Sequence, residues 1–101
     1  MSEPDFAVVR GTVRDFAKER PSSALLIIEV SDSTLLYDRT TKSRIYARAF
    51  VPEYWILNLN ERVLEVRLTP VKGTYTERKD YTETESVTLN GQSIAVKDLL
   101  P

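Results

Sequence analysis

Glu29 and Lys42 are two charged residues at positions where the sequence predicts buried structure. Glu29 interrupts the otherwise apolar segment 24–30, near the C-terminal end of that segment. An ionised carboxylate in a buried strand costs free energy unless a cation pairs with it or it binds a metal. Lys42 falls on the apolar face of a predicted helix, a face that also carries Ile45, Tyr46 and Ala49. Because this face must pack on the sheet, Lys42 should point towards the strand end that carries Glu29.

Asp5 is a third candidate, because it directly precedes the β-branched segment Phe6–Arg10, which is typical of a strand. If this strand pairs antiparallel with Ala24–Val30, its start lies beside the end of the second strand. Asp5 and Glu29 then become neighbours. Two adjacent carboxylates repel each other unless a cation lies between them or one of them is protonated. The strand and helix phases therefore predict that Asp5, Glu29 and Lys42 converge.

The composition restricts the chemistry that these residues could carry out. The 101 residues include 14 basic and 15 acidic side chains, with a net charge of -1 and neither Cys nor His. Disulfides, thiolate chemistry, His general bases and His zinc sites are therefore excluded. Any bound metal should be a hard cation with oxygen ligands. The near-neutral charge gives no overall basic signature for nucleic acid, so a surface of that kind would be a local patch.

The length of the chain fits one domain, and its central part is predicted to be strand, loop, helix and strand. Asp38 is a good N-cap for the helix, which should end near Phe50 because Pro52 prevents its continuation. The strands on either side, Ala24–Val30 and Tyr54–Asn58, should run parallel because a helical crossover joins them.

The remaining segments predict further strands and turns. Thr12–Ser23 is interpreted as a loop with a helical turn near Arg14–Lys18. Val63–Leu68 alternates, which predicts a half-buried strand with Glu65 and Arg67 on its outward face. After a turn at residues 70–73, the sequence predicts a strand over Thr74–Tyr81. Asn90-Gly91 predicts a hairpin between the strands Ser86–Leu89 and Ser93–Val96, and Lys97–Leu100 predicts a terminal helical turn.

The N-terminus, MSEPDF, is acidic and lacks the apolar region of a signal peptide. No apolar segment approaches the length that spans a membrane. The sequence therefore predicts a cytoplasmic protein that does not bind membranes.

Four segments carry a resemblance to a known family: EPDFAVV, LLIIEVSDST, YDRTTKSRIYARA and VPEYWILNL. In this order they resemble the Uma-two family of endonucleases, which belongs to the PD-(D/E)XK nuclease superfamily. The resemblance runs through most of the chain, and the block from Tyr37 to Trp55 is more specific than the short superfamily motif. It implies an α+β or α/β fold, a restriction-endonuclease-like mixed β-sheet with one central helix. The implied order is a strand-strand-helix-strand-strand core followed by a C-terminal hairpin.

The resemblance also implies a site. Asp5 matches the motif aspartate and Glu29 the motif acid, and together with the Val30 carbonyl they would hold Mg²⁺ or Mn²⁺. The superfamily often has Lys two residues after the acid, where this chain has Ser31. In this family the Lys is taken to have moved to the helix, which Lys42 matches; it would orient water or assist proton transfer. The implied activity is metal-dependent hydrolysis of phosphodiester bonds in DNA.

The sequence departs from the family pattern at two places. Phe50 stands where family members usually have Gly, which suits a left-handed position at the helix end, so the helix could end differently here. The family also has a substantial N-terminal segment before the Pro-Asp strand, whereas this chain starts almost at that strand. We therefore expect one domain, residues 1–101, without the family's N-terminal part. Exposed apolar sheet tends to recruit a partner, so we also expect a homodimer or larger homo-oligomer.

Other interpretations of the same residues stay open. The chain could be a catalytically inactive truncated homologue that acts as a structural or oligomeric domain. Glu29 could pair with an arginine, Asp5 could be an exposed strand-start residue, and Lys42 could extend its amine to solvent. Asp38 is interpreted as a helix cap that could also hold Lys42 or Arg39. The helix arginines are interpreted as a solvated face: Arg39, Arg44 and Arg48. The large aromatic residues are interpreted as core or interface: Tyr46, Tyr54 and Trp55.

Overall fold

The computed structural model describes residues 25–89 and 91–100 with their side chains, and the backbone of residues 6–9 and 12–15. A π-helical segment, Asp38–Lys42, joins the helical segments α1 (Leu35–Tyr37) and α2 (Ser43–Arg48) without a break, and residues 35–48 are called the central helix below. The described elements are β1 (Phe6–Val9), β2 (Thr12–Asp15), β3 (Leu26–Ser31), α1 (Leu35–Tyr37), α2 (Ser43–Arg48), β4 (Glu53–Asn58), β5 (Val63–Val71), β6 (Thr74–Thr82), β7 (Ser86–Leu89), β8 (Gln92–Ala95) and α3 (Val96–Leu99).

Within the described residues, six strands form one mixed sheet in the order β2-β1-β3-β4-β5-β6, and β7 and β8 form a separate hairpin. The central helix connects β3 to β4, and these two strands are parallel, as predicted. Every other strand pair in the sheet is antiparallel. The mixed sheet, its one crossover helix and the C-terminal hairpin confirm the predicted fold class.

Both faces of the central strands are covered, so β3 and β4 are almost entirely buried. Strands covered on two sides have no solvent face and carry near-continuous apolar sequence. The central helix covers one face through Ile27, Tyr46, Ala47, Val51, Tyr54, Ile56 and Tyr75. The hairpin and α3 cover the other face through Leu26, Ile28, Trp55, Leu57, Leu64, Val66, Val87, Val96 and Leu100.

The predictions for Thr12–Asp15 and for Asp38 are wrong. Thr12–Asp15 is an edge strand antiparallel to β1, not part of a loop or helical turn, because an edge strand needs only one partner and tolerates polar residues. Asp38 does not cap the helix, which begins at Leu35. Asp38 lies inside the helix and is buried, with its backbone N–H donating to the Thr34 carbonyl. Residues 16–24 lie outside the described part of the chain.

The central helix ends in a left-handed residue even though that residue is Phe50. The Phe50 N–H donates to the Ala47 carbonyl and the Val51 N–H to the Tyr46 carbonyl, which are the two bonds of a Schellman cap. Phe50 has φ of 58° and is 70% exposed, so it occupies the position usual for Gly at the cost of backbone strain.

The β5–β6 hairpin turns at Lys72 and Gly73, whose φ values of 52° and 78° fit a two-residue type I′ turn. Pro70, expected in the turn, lies in β5 opposite Tyr75. A Cβ at Gly73 would lie 3.0 Å from Cγ of Arg48, so the end of the central helix packs on this turn. None of the helices in the described ranges is long and apolar enough to cross a membrane.

Candidate active site

Glu29 lies in β3 on the face that the central helix covers. Side chains alternate along a strand, and Ile27, two residues earlier, packs against the helix in the same apolar cluster. The side chain of Glu29 is 1% exposed. Because burial of an unpaired carboxylate costs several kilocalories, the neighbours of Glu29 must compensate for its charge.

The compensation for Glu29 comes from the central helix. The Nζ atom of Lys42 lies 2.6 Å from Oε2 of Glu29, and the Tyr46 hydroxyl donates to the same oxygen at 3.1 Å. Lys42 and Tyr46 are four residues apart, so they lie one above the other on the same helix face. The helix phase therefore predicted the direction of Lys42 correctly. The expected third member, Asp5, lies outside the described residues.

Asp38 is a second buried carboxylate at this place, and the sequence suggested such a role only as an alternative to capping. Its Oδ1 lies 3.4 Å from Nζ of Lys42, and its Oδ2 accepts a hydrogen bond from the Thr34 hydroxyl at 3.0 Å. The Tyr54 hydroxyl donates to the Asp38 backbone carbonyl at 2.9 Å, which anchors this turn of the helix to β4. Asp38 and Lys42 are the two ends of the π-helical segment, a rare geometry that is frequent at functional sites.

Two carboxylates therefore share one ammonium group. Burial by itself would lower the pKa of Lys42, but the hydrogen bond and attraction from Glu29, with a further contribution from Asp38, raise this pKa above its ordinary value. Lys42 is thus a cation at neutral pH. In this state its amine can donate hydrogen bonds and stabilise negative charge, but it cannot accept a proton.

The oxygen donors at this place fit a hard divalent cation. Glu29 and Asp38 approach the same ammonium, and Oδ1 of Asp38 is buried without a hydrogen bond from any described residue. Mg²⁺ is commonly bound by one or two carboxylates, with water and substrate phosphate completing its shell. Among the residues with described side chains, however, no group of three or more Asp or Glu is close enough to hold a metal. A third carboxylate would have to come from a residue outside that part, such as Asp5.

The Val30 carbonyl is the remaining predicted ligand. Val30 follows Glu29 on β3 and pairs with Leu57 in the parallel ladder. Its side chain points to the opposite face of the sheet, where it packs against the cluster under the hairpin. The structure thus brings Lys42, Glu29 and Asp38 together, with the Val30 backbone next to them in the strand.

A second buried carboxylate, Glu65, lies on the same face of the sheet, and the prediction that it points outward is wrong. Glu65 is 1% exposed and Arg67 is 8% exposed, because the central helix also covers this part of β5. Arg39 Nε donates to Oε1 of Glu65 at 3.0 Å and Arg67 Nη2 donates to the same oxygen at 2.9 Å. Arg78 Nη2 lies 3.8 Å from it, and Asn58 donates to Oε2 at 3.4 Å.

The charges around Glu65 explain why it can be buried. Burial raises the pKa of Glu65, but the hydrogen bonds and attraction of Arg39, together with Arg67, outweigh this effect and lower it. The pKa of Arg67 is lowered by burial and by repulsion from Arg78, and its Nη1 has no hydrogen-bond partner in the described part of the chain. The alternation of polar and apolar residues along β5 could not reveal this cluster. The sequence pattern is the same whether the polar face of the strand contacts water or contacts arginines from other elements.

A mixed sheet that carries a buried acid near a strand end, with a lysine from the crossover helix beside it, defines a restriction-endonuclease-like protein. The comparison with known families agrees with this class. The model of the Uma2 family, described as putative restriction endonuclease, matches residues 2–97. The chain therefore belongs to the Uma2 family, which is the family that its sequence resembles. A search of the curated proteins finds no match.

Proposed function

We propose that this protein is a cytoplasmic DNA endonuclease that depends on Mg²⁺ or Mn²⁺. Membership of the Uma2 family supports a nuclease-like function. The observation that carries the proposal is the contact of 2.6 Å between the Lys42 amine and the buried carboxylate of Glu29. Buried charged groups held in a small cluster are more frequent at active sites than elsewhere in a fold.

In the proposed site, Asp5, Glu29 and the Val30 carbonyl would hold the metal ion. Asp38 is a further candidate ligand, because its Oδ1 has no hydrogen bond from the described residues. When bound, Mg²⁺ or Mn²⁺ would stabilise the charge on the phosphate and favour the ionisation of water.

The remaining residues position these groups. Tyr46 fixes the carboxylate of Glu29 through its hydroxyl, and Asp38 holds the Lys42 amine. Since Lys42 is a cation, we assign it to orienting the attacking water and stabilising the charge that develops on the phosphate. A general base is a less suitable role, because an ammonium group carries no free electron pair.

The test is the nicking of supercoiled plasmid DNA by the wild type and by Glu29→Gln. The wild type should convert plasmid to the nicked form with Mg²⁺ and stop when EDTA is added. Glu29→Gln should lose this activity while keeping its fold. Glu61→Gln, the same chemical change at an exposed residue, is the matched control and should cut like the wild type. Cleavage by Glu29→Gln at the wild-type rate would show that the proposed site is not the active one.

The second candidate is a catalytically inactive homologue with a structural or oligomeric role. One observation favours it: Lys42 already neutralises Glu29 and approaches Asp38, so the charges are paired by the chain's own residues. Three apolar side chains at the end of the sheet where β4 begins are also exposed and could pack against a second copy: Leu25, Phe50 and Val71. In this case the wild type nicks no plasmid, Glu29→Gln changes stability alone, and light scattering finds a dimer or larger assembly.

A further inference from the structure

A groove lies between the outer side of the central helix and the β5–β6 hairpin. Its volume is about 260 Å³, and none of the residues that line it is acidic. They offer guanidinium groups, hydroxyls and a glycine at the tip of the hairpin: Arg39, Thr40, Ser43, Arg44, Gly73 and Thr74. We call this the hairpin groove.

Arg44 brings a positive charge to the hairpin groove that nothing in the described part of the chain neutralises. Its side chain is exposed, and no hydrogen bond or ion pair joins it to another described residue. Helix arginines on a solvated face commonly pair with carboxylates one turn away. Here the residues four positions on either side are Thr40 and Arg48, so the helix supplies no such partner.

Arg39 also lines the groove, and its guanidinium is paired with Glu65. Three guanidinium groups, those of Arg39, Arg67 and Arg78, surround this one carboxylate. Asp80 pairs with Arg78 at 2.9 Å. The bond to Glu65 fixes the position of Arg39 at the edge of the groove.

Arg39, which lines the groove, contacts Glu65, and Glu65 lies on the same side of the sheet as the proposed cutting site. Glu29 is opposite Ile56, and Ile56 is opposite Glu65, so the three residues form one row across β3, β4 and β5. Neighbouring strands are about 4.8 Å apart, which separates Glu29 from Glu65 by roughly 10 Å.

We propose that the hairpin groove binds a backbone phosphate of DNA. Arg44 supplies the charge, and the hydroxyls of Ser43 and Thr74 can donate hydrogen bonds to the phosphate oxygens. The choice of DNA as the source of the phosphate rests on the proposed nuclease function, whereas binding of a phosphate rests on the groove itself. Arg44 is exposed on the helix, as the sequence interpretation expected, whereas Arg39 is paired with the buried Glu65 and is not part of a purely solvated face.

The test measures binding to a fluorescent DNA duplex by anisotropy in EDTA, so that no cutting takes place. The association constant is determined at several KCl concentrations for the wild type and for Arg44→Gln. Each phosphate contact that is lost lowers the slope of log K against log salt by about 0.9. Arg44→Gln should therefore show a slope smaller by about 0.9, and its deficit in affinity should shrink about 3.5-fold between 50 and 200 mM salt. Arg44→Lys keeps the charge and should keep the wild-type slope.

The matched control is Lys79→Gln, which removes one positive charge from the other face of the sheet, where Lys79 lies near Trp55 and Val87. This variant should keep the wild-type slope. An unchanged slope in Arg44→Gln, an equal loss in Lys79→Gln, or no binding of duplex by the wild type overturns the proposal. Failure of the nuclease function is seen separately, as a wild type that binds duplex through Arg44 but does not nick plasmid with Mg²⁺.

Discussion

Replacing Lys42 by alanine tests whether its ammonium group occupies a position that a divalent cation can take. The substitution leaves the buried carboxylates of Glu29 and Asp38 without their shared cation. Breaking a buried ion pair by removing one partner costs about 3–5 kcal/mol. Because Tyr46 still donates to Glu29 and the Lys42 side chain is 14% exposed, we expect the lower end, about 3 kcal/mol. A loss of this size lowers the Tm of a domain of this length by roughly 12–24 °C.

Divalent metal should then return part of the lost stability. A ligand that binds the folded state alone stabilises it by RT ln(1 + [L]/Kd), which is about 1.4 kcal/mol when its concentration is ten times Kd. Urea unfolding can be followed through the fluorescence of Trp55, which is buried in the core. Lys42→Ala is measured in EDTA and in about 10 mM MgCl₂, a concentration chosen to exceed Kd. The wild type should respond less, because the lysine competes with the metal for the same carboxylates.

The double variant Lys42→Ala/Glu29→Gln is the control for this experiment. It lacks one of the two carboxylates and should lose most of the response to Mg²⁺. Our reasoning is refuted if Mg²⁺ leaves Lys42→Ala unchanged, or if the double variant responds as strongly as Lys42→Ala. Either result would mean that Glu29 and Asp38 form only a structural ion pair with the lysine.

Two further predictions concern stability. Phe50→Gly should raise the free energy of unfolding by about 0.5–1 kcal/mol. The substitution removes about 1–2 kcal/mol of strain from the left-handed backbone of this residue, but glycine makes the unfolded chain more flexible, which offsets part of the gain. Thermal unfolding measures this gain, and Phe50→Ala, which keeps the Cβ, should not show it. The arginines lower the pKa of Glu65 from its ordinary 4.5, so the folded chain binds this proton less readily than the unfolded chain. The contribution of Glu65 to the free energy of unfolding is therefore complete above pH 4.5 and is lost as the pH falls through the lowered pKa of the folded state. Urea unfolding of Glu65→Gln should show a free energy of unfolding that declines less steeply with falling pH in this range than that of the wild type.

The sequence by itself determined the central unit of this protein. A nearly continuous apolar segment predicts a strand covered on both faces, and a helical crossover makes the next strand parallel to it. The helix period then directs Lys42 towards the sheet, where it meets Glu29. These inferences succeed because they depend on local periodicity and on chain connectivity, which are written in the order of residues. The block from Tyr37 to Trp55 likewise indicated the family.

Tertiary structure alone decided that Glu65, Arg67 and Asp38 are buried. Glu65 and Arg67 follow an alternating pattern that predicts exposure, yet Arg39 from a distant helix turn covers them. Asp38 has the residue type of an N-cap, but the helix begins three residues earlier and turns this carboxylate inward. For Glu65 the environment is supplied by a helix far away in the chain, whereas for Asp38 it is set by where the helix begins and which side of it faces the sheet. Local pattern cannot specify such an environment, because the same side chain satisfies its charge equally well with water or with a partner brought by the fold.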